Sequence, residues 1–441
     1  MLTRLSNALA RNPGGRAAWA VAVVTLGLPA AVFGACATHS VWLADTFPVV
    51  PTAVQELRHG SRNLAPYLVP PRQGRWGAYA ADEPFPYYVR PAADGTGAYS
   101  NYPAGMEVFA WPAVALVDAA GYDLDDDAVL LTLERATAAA AAGVCVALFF
   151  LAALRVGRPA AAWVTAALFA TGSVVPSVLA QLLWQQTGVV ACVLTVLLVE
   201  LRGAGRVGRG GTAVQAMACA LMLACRPSAV SFLVPFGVWV LVRDRRRGVV
   251  LPLAAVACYS PWAAMYWATY RTPFGPSMAF LGQTWTAAGN VLGVLFSPGR
   301  GVFVYQPWAW LVLLLLAKRV RTDPARPLPA GWYAFALAAV ACHVVLVGSW
   351  GVWWGGYCWG SRLAAEVIPL LGLLAVRPVG FLIGRRWGWA VLAAVAAAGI
   401  ALHAAYTYAD GGVWNVERDI DRHPEYLWDW RHPPFLYPLE E

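Results

Sequence analysis

The side chains with the most chemical capacity in this sequence are one carboxylate and four guanidinium groups, each beside an apolar run: Asp45, Arg226, Arg271, Arg300 and Arg362. A carboxylate at the edge of a hydrocarbon layer suits general-base work on a hydroxyl. The same residue precedes Thr46-Phe47-Pro48 and a helix-like stretch to Arg58, so it also reads as a helix N-cap. Arginine against hydrocarbon is costly without a partner, and its planar fork fits phosphate. That phosphate belongs either to a substrate or to an ordinary lipid headgroup. Two of the arginines stand in glycine-rich loops, Ser297-Pro298-Gly299-Arg300-Gly301 and residues 353–362, which hold Trp354-Gly355-Gly356 and Gly360-Ser361-Arg362. Such loops offer backbone N–H groups to an anion, or are plain tight turns. Trp76, Tyr87, Tyr88, Tyr99, Tyr102, Trp350, Trp353, Trp354 and Trp359 crowd the same regions. Their faces suit sugar rings, while belts of Trp and Tyr are ordinary at membrane surfaces. HExxH, P-loop and GxSxG motifs are absent, and His39 and His59 stand isolated, so neither a metal nor a cofactor is expected.

The frame that must position these groups is a membrane. Of 441 residues, 59% are apolar and only 13% charged, about half the charge of an average soluble chain. Apolar runs recur at residues 17–37, 136–154, 159–178, 182–201, 212–225, 228–242, 249–270, 302–317, 332–347, 363–376 and 389–406. They predict an all-α integral membrane protein of about eleven spans. Its membrane domain is expected over residues 1–409, with a long first loop, 39–131, inserted in it and a short polar tail at 410–441. Eight Cys occur without metal-ligand spacing; most fall inside apolar runs and read as small buried hydrophobes. Cys36, after Phe33-Gly34-Ala35, loosely matches a lipoprotein cleavage box, but an uncleaved first helix is expected.

Charge decides the sidedness. The N-terminal segment and the loops on its side hold 19 of the 32 basic residues and 3 of the 24 acidic ones, a balance of +16 against −8 elsewhere. The positive face is expected to be cytoplasmic, in a bacterial inner membrane. Asp45, the long loop, the Trp-rich loop and the tail then lie outside, with the lipid bilayer as solvent and no nucleic-acid partner. Residues 104–120, apolar enough to be counted as a span, are expected instead as an interfacial helix with Met106 and Trp111 toward lipid, because a crossing there would invert every later loop.

Taken in order, several motifs resemble the GT-C superfamily of polytopic glycosyltransferases, relatives of protein O-mannosyltransferases and lipid A aminoarabinose transferase. They are Asp45 soon after span one, Tyr102-Pro103-Ala104-Gly105, Leu182-Leu183-Trp184-Gln185-Gln186, Arg226-Pro227, residues 295–305, Trp354-Gly355-Gly356 through Arg362, and Leu427-Trp428-Asp429-Trp430. Ala104, Gln186 and Ser361 stand where the pattern usually has Pro, His and Pro, and Asp45 lacks the following Glu of the mannosyltransferases. The resemblance implies sugar transfer from a polyprenyl-phosphate-linked donor to an extracytoplasmic lipid, glycan or protein acceptor, with inversion. In that reading Asp45 is the base, Arg300 and Arg362 stabilise the phosphate leaving group, and Arg226, Tyr102, Trp354 and Ser297 bind substrate. A lipid-linked sugar transporter or flippase is the alternative, and would call for mid-span ionisable groups, of which the sequence has almost none. A non-catalytic cell-envelope scaffold is the other.

Overall fold

A computed structural model describes residues 20–23, 27–28, 45–68, 85–203, 206–275, 289–321, 323, 326–408 and 413–437. Most of the first predicted span, Cys36, His39 and Trp76 lie outside these residues. Each predicted apolar run from the second to the eleventh is occupied by helix, in order. The elements are α1 (Val49–His59), α2 (Glu107–Ala119), α3 (Asp127–Val156), α4 (Pro159–Thr171), α5 (Gln185–Arg202), α6 (Arg209–Cys225), α7 (Val230–Arg243), α8 (Arg245–Tyr270), α9 (Gly289–Phe296), α10 (Trp332–Gly348), α11 (Ile368–Ile383) and α12 (Arg386–Tyr408). By length and composition, α3, α5, α8, the run Arg362–Ile383 and Arg386–Thr407 are long and apolar enough to cross a membrane. Pro159–Thr171, Pro227–Arg243, Pro307–Leu316 and Trp332–Gly348 are shorter apolar helices.

Local chemistry sets the ends. Asp126 caps α3 by accepting from the Ala128 N–H at 2.9 Å, which starts this helix inside the stretch expected as loop. The predicted eighth span is not one α-helix: a turn at Val302–Tyr305 breaks at Gln306-Pro307 into a 3-10 helix, Pro307–Leu316. Proline lacks the N–H that would continue the ladder. Arg377, expected just past the tenth span, lies within α11 and donates to the Val156 carbonyl at 3.1 Å, satisfying the C-terminal end of α3.

Packing separates centre from rim. In its most apolar window α3 is 83% buried and α8 only 17%, so α8 presents its apolar face outward, as a lipid-facing helix must. Crossings are close where small residues meet: a Cβ on Gly399 of α12 would come within 3.0 Å of the Gly172 backbone after α4. At one end, buried Glu200 of α5 takes hydrogen bonds from Arg243, from Arg247 and from Gln215, tying α5, α6, α7 and α8. At the other end lies a polar cap. There α1 packs on α2, and Arg62 bridges Glu56 and Glu107 at 3.3 and 2.8 Å. A two-stranded hairpin, β1 (Val89–Arg90) and β2 (Tyr99–Ser100), pairs Val89 with Ser100. It leans on α8 through the Tyr270 hydroxyl, which donates to the Ser100 carbonyl at 2.8 Å.

The 104–120 segment is a 3-10 turn, Ala104–Met106, leading into α2. Met106 departs from expectation: it is fully buried rather than lipid-facing, packed so that a Cβ on Gly188 would touch its sulfur. Trp111 is 38% exposed and anchors its indole N–H on Glu56 at 2.7 Å.

Candidate active site

Asp45 sits in a turn ahead of α1, and its carboxylate is a junction. One oxygen accepts from Arg362 Nη1 at 3.0 Å. The other accepts from the Tyr102 hydroxyl at 2.5 Å and the Tyr87 hydroxyl at 3.3 Å. Burial first, and then the Asp45 charge, push both tyrosines well above the ordinary phenol range, so they act only as donors. Asp45 keeps 28% of its side chain exposed against 7% for Arg362, which leaves the carboxylate an open side. It is not the N-cap of α1. Pro48 holds that place, without a side-chain cap.

Arg362 opens a 3-10 turn, Arg362–Val367, and its position is fixed from three directions. Besides Asp45 it donates through Nη2 to the Gly355 carbonyl at 2.5 Å. Its guanidinium also lies 4.1 Å over the ring of Trp184, the residue before α5. Lysine has neither the fork nor the flat face to do this.

Arg300 is placed differently from the expectation. It is 3% exposed and its donors are taken by protein oxygens. Nε reaches the Trp354 carbonyl at 2.9 Å, Nη1 the Gly299 carbonyl at 2.8 Å, and Nη2 both the Gly356 carbonyl at 3.0 Å and Asn415 Oδ1 at 2.8 Å. Ser297, fully buried, accepts from the Arg300 backbone N–H at 2.9 Å and so closes a turn. Trp354 donates its indole N–H to Asp421 of the tail at 2.7 Å. These three residues form a structural knot that joins the Trp-rich loop to the tail. The glycines reverse the anticipated polarity. Gly355 (φ 76°) and Gly356 (φ 69°) are both left-handed, and the pair hands carbonyls to two arginines rather than N–H groups to an anion.

Arg226 donates to Glu366 at 2.8 Å, and Glu366 also accepts from Ser228 at 2.7 Å. Arg226 is within electrostatic range of both Arg362 and Asp45. Asp45, Tyr102, Arg362 and Arg226 are therefore brought together, whereas Arg271 is an exposed left-handed residue ending α8. Sequence reasoning did not assign Glu366, Tyr87, Trp184 or Asn415 a role. An acid inside an apolar run, four residues after Arg362, was the signal for Glu366. Tyr87 and Trp184 stood in quoted stretches, but nothing local says which aromatic meets a charge. Among the described residues no group of three His, Cys, Asp or Glu side chains could hold a metal ion.

Beneath the Tyr102 turn runs an apolar groove of about 410 Å³ between α6, α7 and α8, lined by Leu223, Phe236, Gly237, Val256, Tyr259 and Phe274 among others. Ala220 and Tyr259, both lining it, pack with Ala104. The Ala104 N–H donates to the Tyr266 hydroxyl at 2.6 Å, which pins the turn to α8.

With this geometry the chain aligns with the crystal structure of the Archaeoglobus fulgidus oligosaccharyltransferase in its apo form, at a TM-score of 0.56 and 11% identity over 94% of this chain. The two share a fold. The same archaeal enzyme, tethered by a disulfide bond to an acceptor peptide containing the NVT sequon, aligns at a TM-score of 0.54, also with 11% identity over 94% of this chain. In both cases the match covers 60% of the longer archaeal chain. No protein-family model matches this chain, and no curated protein does.

Proposed function

We propose that this protein is a membrane glycosyltransferase of the GT-C type, moving a sugar from a polyprenyl-phosphate-linked donor to an extracytoplasmic acceptor hydroxyl with inversion. The observation that carries the reading is a half-open carboxylate fixed by Arg362 and two tyrosines, in a fold shared with an oligosaccharyltransferase. Asp45 takes the proton of the acceptor hydroxyl as that oxygen bonds to the anomeric carbon. The bond from that carbon to the phosphate oxygen breaks, and its electron pair stays on the phosphate. Arg362 and Arg226 are the cations beside it, and a charge that grows in the transition state is best met by fixed donors. Arg300 acts one step back, holding the loop whose Gly355 carbonyl positions Arg362. The groove accommodates the isoprenoid tail. Eleven spans with the basic face in the bacterial cytoplasm put residues 39–131 and the tail outside, in accord with Asp45 lying in the polar cap.

The transporter alternative calls for buried ionisable groups, and Glu134, Glu366, His343 and His403 are all buried, near the ends of the apolar runs rather than at their middles. Each is held by a fixed partner, Glu134 by the Leu183 N–H and His403 by Ser177 and the Tyr305 carbonyl. Such fixed anchoring favours a rigid scaffold over a proton or ion relay. The deciding experiment is Asp45→Asn in proteoliposomes with a polyprenyl-phosphate sugar. Loss of a general base costs about 10²- to 10⁴-fold in rate. Transfer at the wild-type rate by a folded variant would remove Asp45 from the role.

A further inference from the structure

Glu366 is the one buried acid of the site that the transfer step does not use. Its Oε1 accepts from Arg226 and Ser228, while Oε2 is buried without a hydrogen bond, 3.6 Å from His343 Nδ1. His343 makes no hydrogen bond to that oxygen. Its Nε2 donates to the Leu363 carbonyl at 2.8 Å, and its Nδ1 lies 2.7 Å from the Ser231 hydroxyl, which also faces the Ser228 carbonyl at 2.8 Å, so both ring nitrogens are engaged away from Oε2. The charge of Glu366 is therefore directed at Arg226. A carboxylate with one oxygen unsatisfied is a poor packing element, because leaving a buried acceptor unpaired costs stability.

The chemistry supplies a use for it. A polyprenyl-phosphate sugar is a phosphodiester with one negative charge. The product is a monoester whose second ionisation falls near pH 6, so it carries about −1.5 to −2 at neutral pH. An unpaired Arg226 beside Arg362 would hold that product more tightly than the donor. We propose that Glu366 sets the charge of the phosphate subsite, neutralising Arg226 so that the phosphate product is released; this rests on the glycosyl-transfer reading. Glu366 is a positioning residue and touches no reacting atom.

The test uses the full chain in detergent and farnesyl phosphate as the probe, with binding measured by calorimetry. Glu366→Gln keeps the volume and an acceptor but unpairs Arg226, so farnesyl phosphate binds about tenfold more tightly, and kcat and donor KM fall together. Removing both charges of a buried pair is tolerated better than removing one. The double variant Glu366→Gln/Arg226→Gln therefore serves even if the single one does not fold: without the arginine that Glu366 restrains, the gain disappears and the probe binds no more tightly than to wild type. Weaker or unchanged binding by folded Glu366→Gln, or binding tighter than wild type by the double variant, overturns the proposal. Should wild-type protein transfer no sugar, the glycosyl-transfer reading falls while the binding measurements still decide the role of Glu366.

Discussion

Arg300→Lys separates a phosphate ligand from a structural staple. The guanidinium of Arg300 makes four hydrogen bonds to acceptors on three chain segments: the Gly299 turn, the Trp354 to Gly356 loop and Asn415 of the tail. An ammonium has three donors at a single point and cannot reach acceptors that the fork reaches from separate nitrogens. At least two of these oxygens then stay unpaired in a site that is 3% exposed. Each unpaired buried acceptor costs about 1–3 kcal/mol, so the change costs roughly 2–6 kcal/mol. The Gly299 N–H, which donates to the Leu427 carbonyl at 3.2 Å, reports docking of the tail on this turn. Its amide hydrogen exchange in the variant should speed up by about thirtyfold or more, since each 1.4 kcal/mol is a factor of ten. Arg362→Lys is the contrast. It should leave that amide protected and raise donor KM, because it loses the Trp184 face and the fork held by Asp45 and Gly355. If Arg300→Lys exchanges like wild type and only donor KM rises, Arg300 is a phosphate ligand and the staple argument is wrong.

Other outcomes follow from the same geometry. Tyr102→Phe removes the 2.5 Å donor from Asp45 and leaves the Tyr87 donor at 3.3 Å, so transfer should slow by about one order of magnitude while melting stays near wild type. A drop as deep as that of Asp45→Asn would show instead that the ring itself contacts substrate. Gly355→Ala demands a left-handed residue and brings its Cβ to 2.9 Å from Leu363 Cγ. The cost is about 1–3 kcal/mol in stability, with donor KM raised through the displaced carbonyl, measured by melting and steady-state kinetics. A Cβ on Gly237 meets nothing within 4 Å, and this residue lines the apolar groove, so Gly237→Leu should fold normally. It should raise KM for long-chain donors and spare short-chain ones; an equal effect on both would clear the groove of a role. Glu107 is buried at the start of α2, and burial, with help from Glu56 and against Arg62, raises its pKa to about 7. An acid whose folded pKa is raised gives its stabilisation below the unfolded value and loses it as pH climbs through the folded one. The melting temperature of wild type should therefore fall between about pH 4.5 and about 7, a slope that Glu107→Gln flattens.

What could be read along the chain was whatever one helix decides by itself. Runs of apolar residues must be helical in a bilayer because every backbone group has to be paired within the segment, and the second to eleventh of those runs appear as helices in sequence order. The Asp126 cap of α3 is equally local, although it starts the helix inside the stretch expected as loop. The prominence of Asp45, Arg362, Arg226 and Tyr102 was legible because charge and hydroxyl beside hydrocarbon are costly enough to need a reason. Partnership was not legible. Glycine type announces left-handed backbone at 355 and 356, but the direction its carbonyls face depends on which arginines arrive from 300 and 362. Met106, expected toward lipid on an interfacial helix, is buried because Gly188 leaves it room. Arg300 and Arg362 are alike in sequence, each after small residues at the end of a glycine-rich loop. Tertiary structure alone gives one an aspartate and an indole face and the other a cage of carbonyls. The sequence by itself determined the class of molecule and the short list of reactive groups, since burial cost acts on residue type. Only the fold decided which of those groups are spent on holding the site and which are left to act, because that depends on distances between segments more than three hundred residues apart, as for Asp45 and Arg362 (|i−j| of 317).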